Sequence, residues 1–324
     1  MLHILLCRVI LQRYLILTED KMEGVVMKKI LVTGGTVFVS RYIAEYYVAK
    51  GYEVYVINRN TREQSKGVTL IQSDRHELGE KLSGYHFDLV IDTGYTAEDV
   101  NTLLDAIESY DDYVLISSSA VYPEYETQPF EGTSKTDVNK YWGIYGTNKI
   151  EAEKILLNSN PNAYIVRPPY LYGPMNNVYR EAFVFDCALA DRKFYLPRDG
   201  EMKLQFFHVG DLCRFIDILM GEKPSQHIFN VGNKEAISIR EWAKLCYQTI
   251  GETAEFVNVY DDIDQRNYFS FYDYEYYLDV TGQEKLMPET KPLSDGLKES
   301  FEWYKSNMDK VNKKPYFEYI DNNL

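Results

Sequence analysis

Cysteine is scarce and poorly placed for chemistry. Four occur in 324 residues, Cys7, Cys187, Cys213 and Cys246, and no two form a CxxC pair. That spacing argues against a disulfide framework or a zinc site and for reduced thiols in a cytoplasmic compartment. The five histidines show neither HxxxH nor HExxH spacing, so no metal is expected. Basic residues are outnumbered, 35 against 49 acids, leaving a formal net charge of -14. No dense Lys/Arg run offsets this balance. Nucleic acid and anionic membranes are therefore poor partners, whereas a small anionic ligand needs only a local positive pocket. Long apolar runs are missing too. Leu2 to Leu17 is broken by Arg8, Gln12 and Arg13, too short and too charged to span a bilayer. It also lacks the unbroken core and small-residue cleavage site of a signal peptide. What remains, 45% hydrophobic and 26% charged, is ordinary for a globular protein.

Residues 1–26 read as a tail set apart from the fold. A peripheral amphipathic anchor is one reading. The preferred expectation is that translation starts at Met27, because Lys28 to Thr33 opens directly into a buried strand. Glu23-Gly24 would be encoded by a purine-rich stretch where a bacterial ribosome-binding site would lie.

From Lys28 the pattern alternates. KILVT (29–33), EVYVIN (53–58), VTLIQ (68–72), FDLVID (87–92), DYVLIS (112–117) and AYIVR (163–167) are short apolar runs of the kind buried on both faces of a parallel sheet. Helical patterns separate several of them: Arg41 to Lys50, closed by Gly51, and a segment with Val100, Leu103, Leu104 and Ile107 on one face. Strands alternating with helices predict an α/β, doubly wound parallel sheet, a Rossmann fold, over 27–168. Residues 169–324 are richer in loops, aromatics and acids and read mainly as a smaller substrate-binding lobe. Within it, 228–251 (a strand, then a helix) is expected to return to the Rossmann core. The aromatic, acidic run 261–280 reads as an edge or lid packed on that lobe, or as a stacking wall for a base or sugar.

The turn after the first strand, TGGTVFVS (33–40), holds Gly34, Gly35 and Thr36 ahead of a helix. Backbone N–H groups at such a turn, aided by the helix dipole, suit a pyrophosphate. Val37 and Ser40 stand where further glycines are usual. The end of the second strand selects the cofactor. An acid there would bond the ribose 2′-OH of NAD; Asn58 and Arg59 occupy the place, so NADP is expected at least as readily as NAD. Asp74, after the third strand, would accept from an adenine amino group or serve as a solvated turn acid.

Tyr145 and Lys149 stand at i and i+4, one helical turn apart on one face. An ammonium near a phenol favours the phenolate and is expected to draw its pKa toward neutrality. Tyr46 and Lys50 share the spacing, but on the first helix, and read as structural. Tyr145 instead follows the fifth strand, which ends in Ser117-Ser118-Ser119, where a hydroxyl could orient a reacting oxygen.

TGGTVFVS (33–40), ISSSAVY (116–122), YGTNKIEAEKIL (145–156), VRPPYLYGP (166–174), FFHVGDL (206–212), FNVGN (229–233) and GLKESFEWY (296–304), in this order, resemble the extended short-chain dehydrogenases/reductases of the NAD-dependent epimerase/dehydratase type. The resemblance covers Met27 to about Lys305. It implies Tyr145 as acid/base, Lys149 on the nicotinamide ribose and Ser118 as the catalytic Ser/Thr. It implies Gly34, Gly35 and Phe38 along the cofactor loop, and Arg167-Pro168 beside the nicotinamide end. His208 to Asp211 would hold a loop at the lobe junction.

Two departures bear on specificity. The family's 4,6-dehydratases carry Asp-Glu after the catalytic Ser/Thr, where this chain has Ser119-Ala120. Many sugar-nucleotide epimerases place an arginine four residues before His208, where Leu204 stands beside Lys203. The expected activity is thus an NAD(P)-dependent epimerase or oxidoreductase acting on a nucleotide sugar, in the cytoplasm, with a homodimer left open. An NADPH-dependent reductase of a small carbonyl is the alternative. An RNA-binding or cofactor-sensing scaffold is the non-enzyme alternative.

Overall fold

The computed structural model describes residues 28–324; the expectations for the tail, 1–26, and for a start at Met27 fall outside them. The first half alternates: β1 (Lys29–Thr33), α1 (Phe38–Ala49), β2 (Glu53–Asn58), β3 (Val68–Gln72), β4 (His86–Asp92), α2 (Ala97–Ala106), β5 (Ser109–Ile116), α3 (Ile144–Ser159) and β6 (Tyr164–Arg167). The second half is broken into shorter pieces. It runs β7 (Tyr170–Tyr172), α4 (Glu181–Leu189), β8 (Phe194–Pro197), β9 (Lys203–Leu204), β10 (Phe206–His208) and α5 (Val209–Glu222). There follow β11 (Ile228–Asn230), β12 (Ile237–Ser238), α6 (Ile239–Ile250), β13 (Phe256–Val259), α7 (Thr281–Leu286), α8 (Leu293–Lys305) and α9 (Tyr316–Asn323).

Seven parallel strands form the main sheet in the order β11-β6-β5-β4-β1-β2-β3. Chain order reverses between β1 and β4, the point at which such sheets open a ligand crevice. The central strands are apolar throughout because both faces are covered. Ile30, Val32, Val56 and Ile91 pack under α1 and α5 on one face; Leu31, Ile57, Val90 and Leu115 pack under α2 and α3 on the other. α2 is well capped: Thr96 accepts from Asp99 N, and the Asp99 carboxylate returns the bond to Thr96 N, satisfying two otherwise unpaired donors.

A third cluster forms the C-terminal lobe around Phe183, Phe206, Trp242, Phe271 and Tyr304. Of the segment 228–251, β11 joins the main sheet, whereas α6 packs in the lobe through Ile239, Trp242 and Cys246. Conversely, α5 lies within the stretch read as lobe but covers the sheet with Leu212, Phe215 and Ile216. The run 261–280 holds only a short helical turn, Gln265–Asn267, and buries Phe269, Phe271, Tyr274 and Tyr276 in the lobe.

Candidate active site

The carboxyl ends of β1, β4 and β5 meet two adjoining cavities. One, about 480 Å³, is lined by Gly34, Asn58, Arg59, Asp74 and Arg75; the other, about 370 Å³, by Phe38, Ser118, Tyr145, Lys149 and Pro168. Thr93 and Tyr95, in the loop after β4, line both and join them into one groove.

The glycine turn is built for close approach. Gly35 sits at φ +84°, and a Cβ there would stand 2.5 Å from Val56 Cγ1. Gly34 N donates to Ile57 O at 2.9 Å. Asn58 Nδ2 donates to Gly34 O at 2.7 Å, so this side chain braces the turn from below. No side chain caps α1, which leaves its first N–H groups facing the loop. Thr36 lies on that loop and Phe38 opens α1 at φ +32°; Thr36 lines a separate cavity with Met175 and Trp303, which Phe38 also reaches. Arg59 and Asp74 come together at 3.9 Å on the rim.

Beneath the first cavity lies a buried charge network. Asp92 accepts from Thr33 Oγ1 at 2.7 Å, Arg75 at 2.7 Å, Tyr113 OH at 2.7 Å and Gly94 N at 2.8 Å. Burial alone would raise its carboxyl; Arg75, with Tyr113 and Thr33, outweighs that and holds it below the usual range.

Ser118, Tyr145 and Lys149 converge in the second cavity. Ser118 Oγ accepts from Ala120 N at 3.1 Å, which fixes the turn after β5. Lys149 Nζ donates to Gly94 O and Ile116 O, both at 2.7 Å, and lies 5.0 Å from the Tyr95 ring centroid. Burial pulls its ammonium down to about 8, against the opposing pull of Asp92 and Glu153. Tyr145 does not follow the expected direction. The residue is 38% exposed overall, yet burial of its phenol among the cleft's side chains pushes it above the ordinary phenol value. Ser118 and Arg180 act in the opposite direction. Lys149 is spent on two carbonyls rather than on drawing Tyr145 toward neutrality.

Arg167 also departs from the resemblance. Its guanidinium is 4% exposed and pairs with Glu153 at 2.6 and 2.9 Å, while also donating to Tyr122 OH at 2.8 Å and Gly132 O at 3.0 Å. These contacts turn it away from the cleft toward β11; only Pro168 of the pair lines the cavity with Tyr145. The look-alike pair Tyr46 and Lys50 holds Asp217 of α5, at 2.5 and 2.6 Å, on the sheet's outer flank. His208 is buried and neutral, its Nδ1 accepting from Gly210 N, and Asp211 accepts from Lys291 N at 2.6 Å.

The sequence model of the NAD dependent epimerase/dehydratase family matches residues 30–232. The chain belongs to that family. Among proteins similar to this family member is the chloroplast stem-loop binding protein of 41 kDa b of Arabidopsis thaliana. It is 27% identical over 302 residues, 85% of this chain and 78% of the relative. Among solved structures, the UDP-glucose 4-epimerase of Thermotoga maritima with UDP-glucose superposes with a TM-score of 0.70 at 18% identity. It covers 86% of this chain and 99% of its own. The Bordetella bronchiseptica enzyme WbmG, in complex with NAD, superposes with a TM-score of 0.71 at 16% identity over 90% and 98%.

In this epimerase/dehydratase-family member, several cleft residues escaped sequence reading. Thr93, Gly94 and Tyr95 follow β4, the neighbour of β1 at the reversal of strand order, and that position alone was signal enough. Tyr141 and Trp142, before α3, and Arg180, before α4, carry no motif. Tyr272 and Tyr276 bring the aromatic run into the cleft wall, where Ser119 Oγ donates to Tyr276 OH at 3.1 Å.

Proposed function

We propose that this protein is an NAD-dependent epimerase that oxidises a hydroxyl of a nucleotide sugar and restores it with inverted configuration. The carrying observation is that Ser118, Tyr145 and Lys149 meet in one cleft continuous with the glycine turn. The likeness to a UDP-glucose 4-epimerase structure and to one holding NAD supports the substrate class and the cofactor.

The residues fit a dinucleotide. The close turn at Gly35 and the uncapped start of α1 suit a pyrophosphate. Asn58, Arg59 and Asp74 line the first cavity and would surround the adenosine end. Asp74 beside Arg59 offsets the cation that would attract a 2′-phosphate, which favours NAD. Bound nicotinamide supplies a hydride acceptor. Ser118 orients the substrate oxygen and Tyr145 exchanges its proton. Lys149, with two N–H groups committed to carbonyls, has one left for a ribose hydroxyl. Tyr145 takes the hydroxyl proton as phenolate in the oxidation half and returns it as phenol to the keto oxygen in the second half; Ser118 and Arg180 favour the phenolate that burial opposes.

Ser119-Ala120 supplies no acid and base for water elimination, which disfavours 4,6-dehydration. Leu204 is buried and Lys203 is exposed, so neither reproduces an arginine clamp on a diphosphate. That supports, as a second reading, a reductase of a small carbonyl. The chloroplast relative motivates a third, an RNA-binding scaffold, which the charge of -14 opposes.

Turnover of a nucleotide sugar without net reduced-nicotinamide absorbance is the expected result; stoichiometric absorbance would mark a reductase. RNA binding that weakens steeply with salt would mark the scaffold. Tyr145→Phe is expected to lower kcat by about 10²–10⁴-fold with NAD affinity retained. Undiminished turnover would remove Tyr145 from the reaction.

A further inference from the structure

The chain carries 49 acids, yet no described Asp or Glu lines the cleft that holds Ser118 and Tyr145. Two cations do. Lys149 is tied to carbonyls. Arg180, half-buried just before α4, is placed differently from Arg75 and Arg167. Arg75 and Arg167 each hold a carboxylate within 2.7 Å. Arg180 takes part in no ion pair among the described residues. Among the described residues its guanidinium makes one hydrogen bond, a long one of 3.4 Å to Leu171 O.

The guanidinium is held instead by rings. It lies 5.0 Å from the Tyr170 centroid and 5.6 Å from that of Phe271. Both rings are buried in the lobe core, so the platform is rigid. Stacking fixes the plane of a guanidinium, offsets part of its lost hydration and leaves its in-plane N–H groups directed outward. Such a fork matches the two oxygens of a carboxylate or a phosphate. A cation so placed, in a cavity that no described Asp or Glu lines, suits negative charge brought by a ligand.

We propose that Arg180 recognises an anionic group of the substrate, bound while the reacting hydroxyl lies between Ser118 and Tyr145. This rests on the nucleotide-sugar reading, in which the charge has two sources: the diphosphate or a carboxylate on the sugar ring. Both are oxyanions with the geometry a guanidinium pairs with. A neutral hexose without either would leave Arg180 unpaired.

The test is calorimetric titration of the NAD-saturated protein, wild type and Arg180→Met, with UDP, UDP-glucose, UDP-glucuronate and free glucuronate. The expected result is a ten- to hundredfold loss of affinity for at least one anionic probe, with NAD affinity and melting temperature retained. Equal losses for the three UDP probes assign the diphosphate. Losses confined to the two glucuronate probes assign the ring carboxylate. If free glucuronate binds in an Arg180-dependent way and no UDP probe binds, Arg180 keeps its role and the nucleotide-sugar reading fails. Wild-type affinity of Arg180→Met for every probe overturns the proposal, and so does failure of every probe to bind the wild type. Should Arg180→Met also weaken NAD, Arg180→Gln is read in its place by the same criteria.

Discussion

Glu153 and Arg167 offer a decisive perturbation, because the family likeness and the structure give Arg167 different work. Likeness puts it beside the cofactor; the structure buries it, at 4% exposure, in a bidentate pair with Glu153. Replacing Glu153 by Leu leaves that guanidinium without a counter-charge and Ser117 Oγ without its acceptor. Breaking a buried pair from one side costs about 3–5 kcal/mol. Replacing both partners, Glu153→Leu with Arg167→Met, removes the stranded charge. What then remains is the unpaired Ser117 Oγ, common to both variants, and the loss of donors to Tyr122 OH and Gly132 O, about 1–3 kcal/mol for each group left unsatisfied. Tyr122 OH keeps its bond to Asn230 Oδ1 at 2.7 Å, so Gly132 O is the one acceptor that Arg167→Met strips, and the double variant should be no less stable than Glu153→Leu. Equilibrium urea unfolding measures the order, with an NAD titration of each variant in parallel. The reasoning is refuted if Glu153→Leu costs under about 1 kcal/mol. It is equally refuted if Arg167→Met leaves stability intact and abolishes NAD binding.

Lys149, at about 8, loses its charge as pH rises past that value, so kcat/KM should fall on the alkaline side near pH 8. Its stability effect runs the other way. The unfolded lysine keeps its proton to about 10.5, so this group's contribution to stability rises between the two values; activity loss that simply tracked unfolding would contradict the assignment. Asp74→Asn should shift preference toward NADP by about fivefold, since it removes a surface charge worth about 1 kcal/mol beside the 2′ position, read from Kd values for both cofactors. Gly35→Ala should cost about 2–5 kcal/mol, combining left-handed strain with the contact on Val56, and should weaken NAD binding; thermal unfolding and cofactor titration check it.

The main sheet was readable because parallel strands buried on both faces leave unbroken apolar runs, as in KILVT and EVYVIN. Boundaries moved where side chains do not decide them. α1 starts at Phe38 rather than Arg41 because the turn itself winds into the helix. The lobe was opaque. Its strands span two to four residues, too short for any periodicity, and its helix α4 is apolar on nearly every face. In the site, residues in motifs were found and residues on loops were not. Arg180 has no neighbour in sequence that explains it; only the rings of Tyr170 and Phe271 do. The roles of Arg167 and of Lys149 beside Tyr145 misled for the same reason. A motif reports which residues are present but not which partners they have already taken.

The double grip of Lys149 on Gly94 O and Ile116 O has a further consequence. Ile116 ends β5, and Gly94 lies two residues beyond the end of its neighbour β4. The ammonium is therefore a cross-brace between the ends of two neighbouring strands. Kinetic losses in any Lys149 variant will mix a missing charge with a slackened sheet edge, and only a parallel measure of local rigidity, such as amide exchange at Tyr95 and Ser117, can separate the two.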